Sequence, residues 1–158
     1  MRVHRLVVML GGFAAIALAT QPARAADACD GVAGTGKAKL TVVAEGVRSA
    51  AGEVAFTLYD DDKSRFLAKG GKAGRVRTAS IAPRTSACFW VTPGHYAVAI
   101  YHDENGDRKF NRTLTTPKEG FGFSNDAPTT FGLPSFAKVR FVVPEGGTTI
   151  RIRMRYAR

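Results

Sequence analysis

The stretch TIRIRMRY, Thr149–Tyr156, sets Ile150, Ile152, Met154 and Tyr156 in alternation with Arg151, Arg153 and Arg155. Successive side chains of a strand point to opposite faces, so this period of two predicts a strand with one face on a core and one in water. A helix would scatter the four apolar residues around its circumference. Further back, EVAFTLY at Glu53–Tyr59 alternates Val54, Phe56 and Leu58 with Ala55, Thr57 and Tyr59, which predicts a strand covered on both faces. Stretches 39–44, 75–81, 87–92, 95–102 and 139–143 complete about seven strands, and nothing longer than a turn or two has helical period. With a lone Trp90 in a strand, the pattern predicts an all-β fold: one sandwich of mostly antiparallel strands.

Turn chemistry separates these strands. Thr92-Pro93-Gly94 fits a tight hairpin between the Cys88 and Tyr96 strands, because proline presets φ and glycine accepts positive φ; Pro144–Gly147 reads the same way for the last pair. Two connections are long, from Asp60 to Gly74 and from Gly106 to Ala137. The second, rich in Gly, Pro, Asn and Phe, is expected to be one long ordered loop with a role of its own.

Arg2, His4 and Arg5 precede an apolar run of 14 residues, Leu6 to Ala19, and then Ala23-Arg24-Ala25. This is the order of a secretory signal with cleavage after Ala25, leaving residues 26–158 as the β-sandwich domain, periplasmic or secreted. The run is shorter than the ~20 residues of a spanning helix, and no later one is longer, so no transmembrane segment is expected in the mature chain. Ala26-Asp27-Ala28 before Cys29 makes a poor lipoprotein box. Cys29 and Cys88 both remain after cleavage; with no C-x-x-C in the chain, a structural disulfide between them is expected.

The chain carries 23 Lys and Arg against 13 Asp and Glu; cleavage removes three arginines, leaving a net charge of +7. Arg151, Arg153 and Arg155, if gathered with Arg75, Arg77 and Arg140 of other alternating strands into one basic face, would suit an anionic envelope component. A nucleic-acid partner is not expected, because the aromatic residues fall on core faces or in the long loop rather than beside the arginines.

YHDENGDRKF, Tyr101–Phe110, holds the densest polar chemistry. Asp103, Asn105 and Asp107 stand at alternate positions around Gly106, the spacing by which loops offer oxygens to calcium, and Asn111 and Glu119 can add more. The same residues also cap a strand end through Asx turns without any ion. An EF-hand is excluded: Arg108 stands where its glycine belongs, Leu114 where its bidentate Glu belongs, and no helices flank the loop. His95 and His102 are seven apart on one strand and therefore face opposite ways, which excludes a shared metal. No catalytic motif occurs, and the enzyme alternative is a hydrolase using His102, Asp103 and Glu119. The acidic run Asp60-Asp61-Asp62 lies at the opposite strand end from Asp103 if β-strands alternate in direction.

VTPGHYAVAIYHDENGDRKFN followed by TPKEGFGFSNDA closely resembles domain of unknown function 2141, an uncharacterised family of exported bacterial proteins. The matching positions are Tyr96, His102–Gly106, Pro117, Glu119, Gly120, Gly122, Phe123, Ser124 and Asn125, and the resemblance runs from about Leu40 to Tyr156. It implies a transthyretin-like or immunoglobulin-like sandwich and no established activity. Arg108 and Asn111 depart from the glycine and aspartate usual in the family, which weakens the calcium reading. The two motifs are expected to fold together, with Glu119 accepting hydrogen bonds from the turn's amides or from His102. His102, Asp103, Asn105, Asp107, Glu119, Ser124 and Asn125 would then form one cluster that orders the loop or receives a ligand. The functional expectation is a non-enzymatic binding or structural module of the cell envelope; the alternative, a calcium-stabilised surface or adhesion module, uses Asp103, Asn105, Asp107 and Glu119.

Overall fold

Strand alternation builds two facing sheets. The computed structural model describes residues 29–113, 116–129 and 132–157; the expected signal sequence, its cleavage point after Ala25, and Leu114 lie outside them. Among the described residues the strands are β1 (Cys29–Asp30), β2 (Ala38–Glu45), β3 (Glu53–Asp60), β4 (Gly74–Ala79), β5 (Arg84–Val91), β6 (Gly94–Asp103), β7 (Gly120–Phe123), β8 (Phe141–Val143) and β9 (Thr148–Arg153). One sheet has the order β1-β5-β2-β9 and the other β4-β3-β6-β7, with β8 paired to the start of β6. The pairings β1/β5 and β2/β9 are parallel and the others antiparallel.

The inner faces meet in a core of Leu40, Val42, Val54, Phe56, Phe89, Val98, Ile100, Ile152 and their neighbours. In β3 every residue from Val54 to Tyr59 is buried, as its double alternation requires. Its outer face lies under a second apolar layer of Tyr59, Ala97, Phe123, Ala127 and Val139, packed with Phe66 and Phe136. Phe66, from the first long connection, meets Tyr59 edge-on at 5.2 Å and Phe136 at 5.8 Å.

Three expectations are corrected. Thr92-Pro93-Gly94 and Pro144–Gly147 do not close hairpins: β5 and β9 belong to one sheet, β6 and β8 to the other, so both turns carry the chain across the sandwich. The stretch from Gly106 to Ala137 is not one loop, because Gly120–Phe123 pairs with β6 and is followed by a short 3-10 turn (Ser124–Asp126) and α1 (Phe136–Val139). That helical turn also moves the start of the strand expected at Val139 to Phe141.

The end of TIRIRMRY does more than continue a strand. Met154 N donates to Glu45 O in one sheet at 2.7 Å, while Arg155 exchanges backbone hydrogen bonds with Phe121 in the other at 2.8 and 2.9 Å. The last residues thus join the two sheets at one edge. Among the described residues, no helix is long and apolar enough to cross a membrane.

Candidate functional site

Strand β6 runs antiparallel to β3 with His102 opposite Val54 and Asp103 opposite Glu53, so the DENGD turn leaves the sheet where β3 begins. Asp60 lies opposite Tyr96 at the far end, which keeps the 60–62 acidic run apart from Asp103. Asp61 there pairs with Arg140 at 2.6 Å.

Neighbouring residues on a strand point apart, and His102 and Asp103 do. His102 is fully buried, with Nε2 2.8 Å from Ala51 O and Nδ1 2.8 Å from the Tyr156 hydroxyl. A carbonyl only accepts, so Nε2–H donates to Ala51, and in the neutral ring Nδ1 accepts from Tyr156. Both nitrogens are engaged away from any carboxylate, which removes the hydrolase reading built on His102, Asp103 and Glu119. The expected contact between Glu119 and His102 is likewise replaced by these two.

Asp103, also fully buried, closes the turn. Its Oδ1 accepts from Asp107 N at 3.1 Å, and its Oδ2 from Arg108 N at 2.7 Å and Arg77 Nη1 at 3.4 Å. Arg108 takes φ +61°, the left-handed region that favours glycine, so the backbone keeps that shape although the side chain is arginine. The Arg108 carbonyl accepts from Arg77 Nη2 at 3.1 Å and from the Tyr101 hydroxyl at 3.3 Å.

Asn111 ties this turn to the second motif. Its amide donates to Glu119 Oε2 at 3.1 Å, and its side-chain nitrogen to Asp107 Oδ2 at 2.8 Å and Glu119 Oε1 at 3.4 Å. Asn105 Oδ1 accepts from Asp107 N at 3.2 Å. Asp103, Asp107 and Glu119 each offer an oxygen such that all three lie within 4.8 Å of one another. Burial first, then the charges of Asp103 and Asp107, push the Glu119 carboxyl above its ordinary range. The Asn111 side chain, followed by the Lys109 amide, holds Asp107 below it.

Ser124 and Asn125 do not join this group. Ser124 Oγ accepts from Val98 N at 3.0 Å and donates to Val139 O at 2.5 Å, and Asn125 Nδ2 donates to Lys138 O and Arg140 O. Val98 is four residues from His102 along β6, about 13 Å in a strand, so the expected single cluster is two. The residues missed from the sequence are Arg77, Tyr156 and Arg48, whose guanidinium pairs with Glu104 and lies 4.4 Å from the centre of the Tyr156 ring. Only the sheet order shows Arg77 in line with Ala55 and Tyr101 across three strands.

The glycines of GFGF permit close approach. A Cβ on Gly120 would stand 2.2 Å from the Tyr156 ring, and one on Gly122 2.6 Å from Arg153 O. Gly120→Ala is expected to lower stability by about 2 kcal/mol in urea unfolding, because the displaced ring also leaves His102. An unchanged midpoint would show that the ring can give way freely.

The arginines form no single basic face. Arg75 and Arg77 lie on β4 in one sheet, and Arg151 and Arg153 on β9 in the other. Arg151 pairs with Glu45 at 3.3 Å, and Arg155 donates to Asp126 O and Ala127 O.

A family model described as an uncharacterized protein conserved in bacteria (DUF2141) matches residues 42–151. No curated protein and no solved structure matches the chain.

Proposed function

The chain belongs to the DUF2141 family, and from that premise we propose a non-enzymatic β-sandwich binding module, exported to the cell envelope, whose two-part motif orders loops. The observation that carries this reading is where the motif's hydrogen bonds go. His102 is sealed between Ala51 and Tyr156, and Asp103 and Glu119 accept backbone amides of their own loops. Export is supported by the signal-like N-terminus and by a disulfide suited to an oxidising compartment.

A second reading places calcium among Asp103, Asn105, Asp107 and Glu119, whose three carboxylates converge. Their convergence favours it, since hard cations take clustered carboxylate oxygens and would relieve the repulsion on Glu119.

Glu119 variants separate the two readings. Its carboxyl has a folded pKa above the unfolded one, so the destabilisation is absent below the unfolded value of about 4.3 and complete above the folded value. Glu119→Gln keeps an acceptor for Asn111 and removes that charge, so the metal-free variant is expected to melt above wild type at pH 7 and to match it at pH 4. Glu119→Ala leaves the Asn111 amide without its partner and is expected to lose about 1 kcal/mol. If calcium binds, ten times its Kd raises wild-type stability by about 1.4 kcal/mol, and Glu119→Gln abolishes the shift. No shift in chelator-treated wild type with millimolar calcium would end the second reading; Glu119→Ala as stable as wild type would end the first.

A further inference from the structure

We propose that the cavity on the outer face of the β4-β3-β6-β7 sheet binds a small aromatic carboxylate. This rests on reading the chain as a binding module and names the site and the ligand class. The cavity holds about 540 Å³, inside the ~300–1,000 Å³ typical of small-molecule sites. Strands β6 and β7 supply Tyr101, Phe121 and Phe123 to it, and the segment after the DENGD turn supplies Phe110 and Arg112. Asn111, between those last two, is the residue pinned by Asp107 and Glu119. The polar cluster therefore fixes the wall of the cavity without lining it.

The apolar lining is a series of rings in edge-to-face contact. Tyr101 meets Phe110 at 5.6 Å and 71°, Phe110 meets Phe121 at 5.8 Å and 75°, and Phe121 meets Phe123 at 6.1 Å and 75°. Ring faces and edges that line a cavity favour another ring, whose quadrupole they complement, over a plain acyl chain. The charged lining residues are Arg75 and Arg112, with no carboxylate among them. Arg75 Nε donates to Thr57 Oγ1 at 2.9 Å, and its guanidinium carbon lies 6.0 Å from the centre of the Tyr101 ring. Among the described residues neither guanidinium is paired with a carboxylate. Guanidinium groups beside apolar rings match a carboxylate attached to an aromatic body.

The test titrates the full chain with 2-naphthoate, with uncharged 2-naphthalenemethanol and with octanoate, following amide chemical shifts. 2-Naphthoate is expected to bind and to move the amides of Ala99 and Phe121, with octanoate at least tenfold weaker. Arg75→Gln and Arg112→Gln should each weaken 2-naphthoate about tenfold and leave 2-naphthalenemethanol unchanged. Arg84→Gln, on the other sheet, should change neither. Equal binding of octanoate, or indifference of 2-naphthoate to both arginine variants, overturns the inference. If only 2-naphthalenemethanol binds at these amides, the ligand class is wrong and the binding-module reading stands. If none of the three binds there, both fall.

Discussion

Asp103→Ala should unfold at markedly lower urea than the wild type, with a loss of about 3 kcal/mol. The buried carboxylate accepts the amides of Asp107 and Arg108, and Arg77 stands 3.4 Å away. Removing it leaves the Arg108 amide and part of a guanidinium charge without that partner and the Asp107 amide with Asn105 Oδ1 alone, and truncating a fully buried, hydrogen-bonded carboxylate is where such losses are largest. The loss stays below the ~5 kcal/mol extreme because Arg77 keeps Glu53 at 2.6 Å and the Tyr101 hydroxyl. Asp103→Asn retains an acceptor for one amide and should fall between alanine and wild type. Asp107→Ala removes an exposed carboxylate and should cost clearly less than Asp103→Ala. This order tests the turn itself, and equal effects at 103 and 107 would show that the burial of Asp103 is not what matters. Loss of the turn would also free Phe110 and Arg112, so the same variant should weaken any ligand of the cavity they wall.

Which strands exist was legible because alternation is local. Val54, Phe56 and Leu58 face the core between the sheets, while Ala55, Thr57 and Tyr59 are buried on the other face of their sheet, as their spacing requires. Which strands pair was less so. A Pro-Gly turn reverses the chain whether the next strand joins the same sheet or the opposite one, and Thr92-Pro93-Gly94 does the second. That choice is made by long-range burial, and it also sends Arg77 and Arg151 to different sheets.

The candidate site divides along the same line. Asp103, Asp107 and Glu119 could be grouped from spacing and from the paired motifs, since each lies in a polar stretch that needs a partner. Their actual partners could not. Arg77 reaches Asp103 from β4, and Tyr156 reaches His102 across 54 residues. Ser124 looked like a member of the first cluster because it follows Glu119 by five residues, but four strand residues carry it along β6 to Val98. Contiguity in sequence marked the motif, while strand rise decided which parts of it meet.

The disulfide should be the largest single covalent contribution. Cys29 and Cys88 are register partners on β1 and β5, with Cα atoms 4.4 Å apart, and their bridge closes a loop across 59 positions. Restricting an unfolded chain by a loop of that size corresponds to about 4 kcal/mol in the chain-entropy account. Strand β1 has two residues, and beyond the bridge its side-chain anchor is Asp30 Oδ2, which accepts from Arg75 N at 3.1 Å. Cys29→Ala, chosen because Cys29 is half-buried while Cys88 is enclosed, should therefore lower unfolding stability by about 4 kcal/mol. The reduced wild type should match it. A loss under ~1 kcal/mol would mean that the unfolded chain is already restricted without the bridge. The same bond also tests the compartment. Chain recovered from the bacterial periplasm should begin at Ala26 by mass spectrometry and resist alkylation until reduced, whereas chain held in the cytoplasm should alkylate at both cysteines. Full-length chain with free thiols as the native form would remove the export reading, and with it the reason for an oxidised pair.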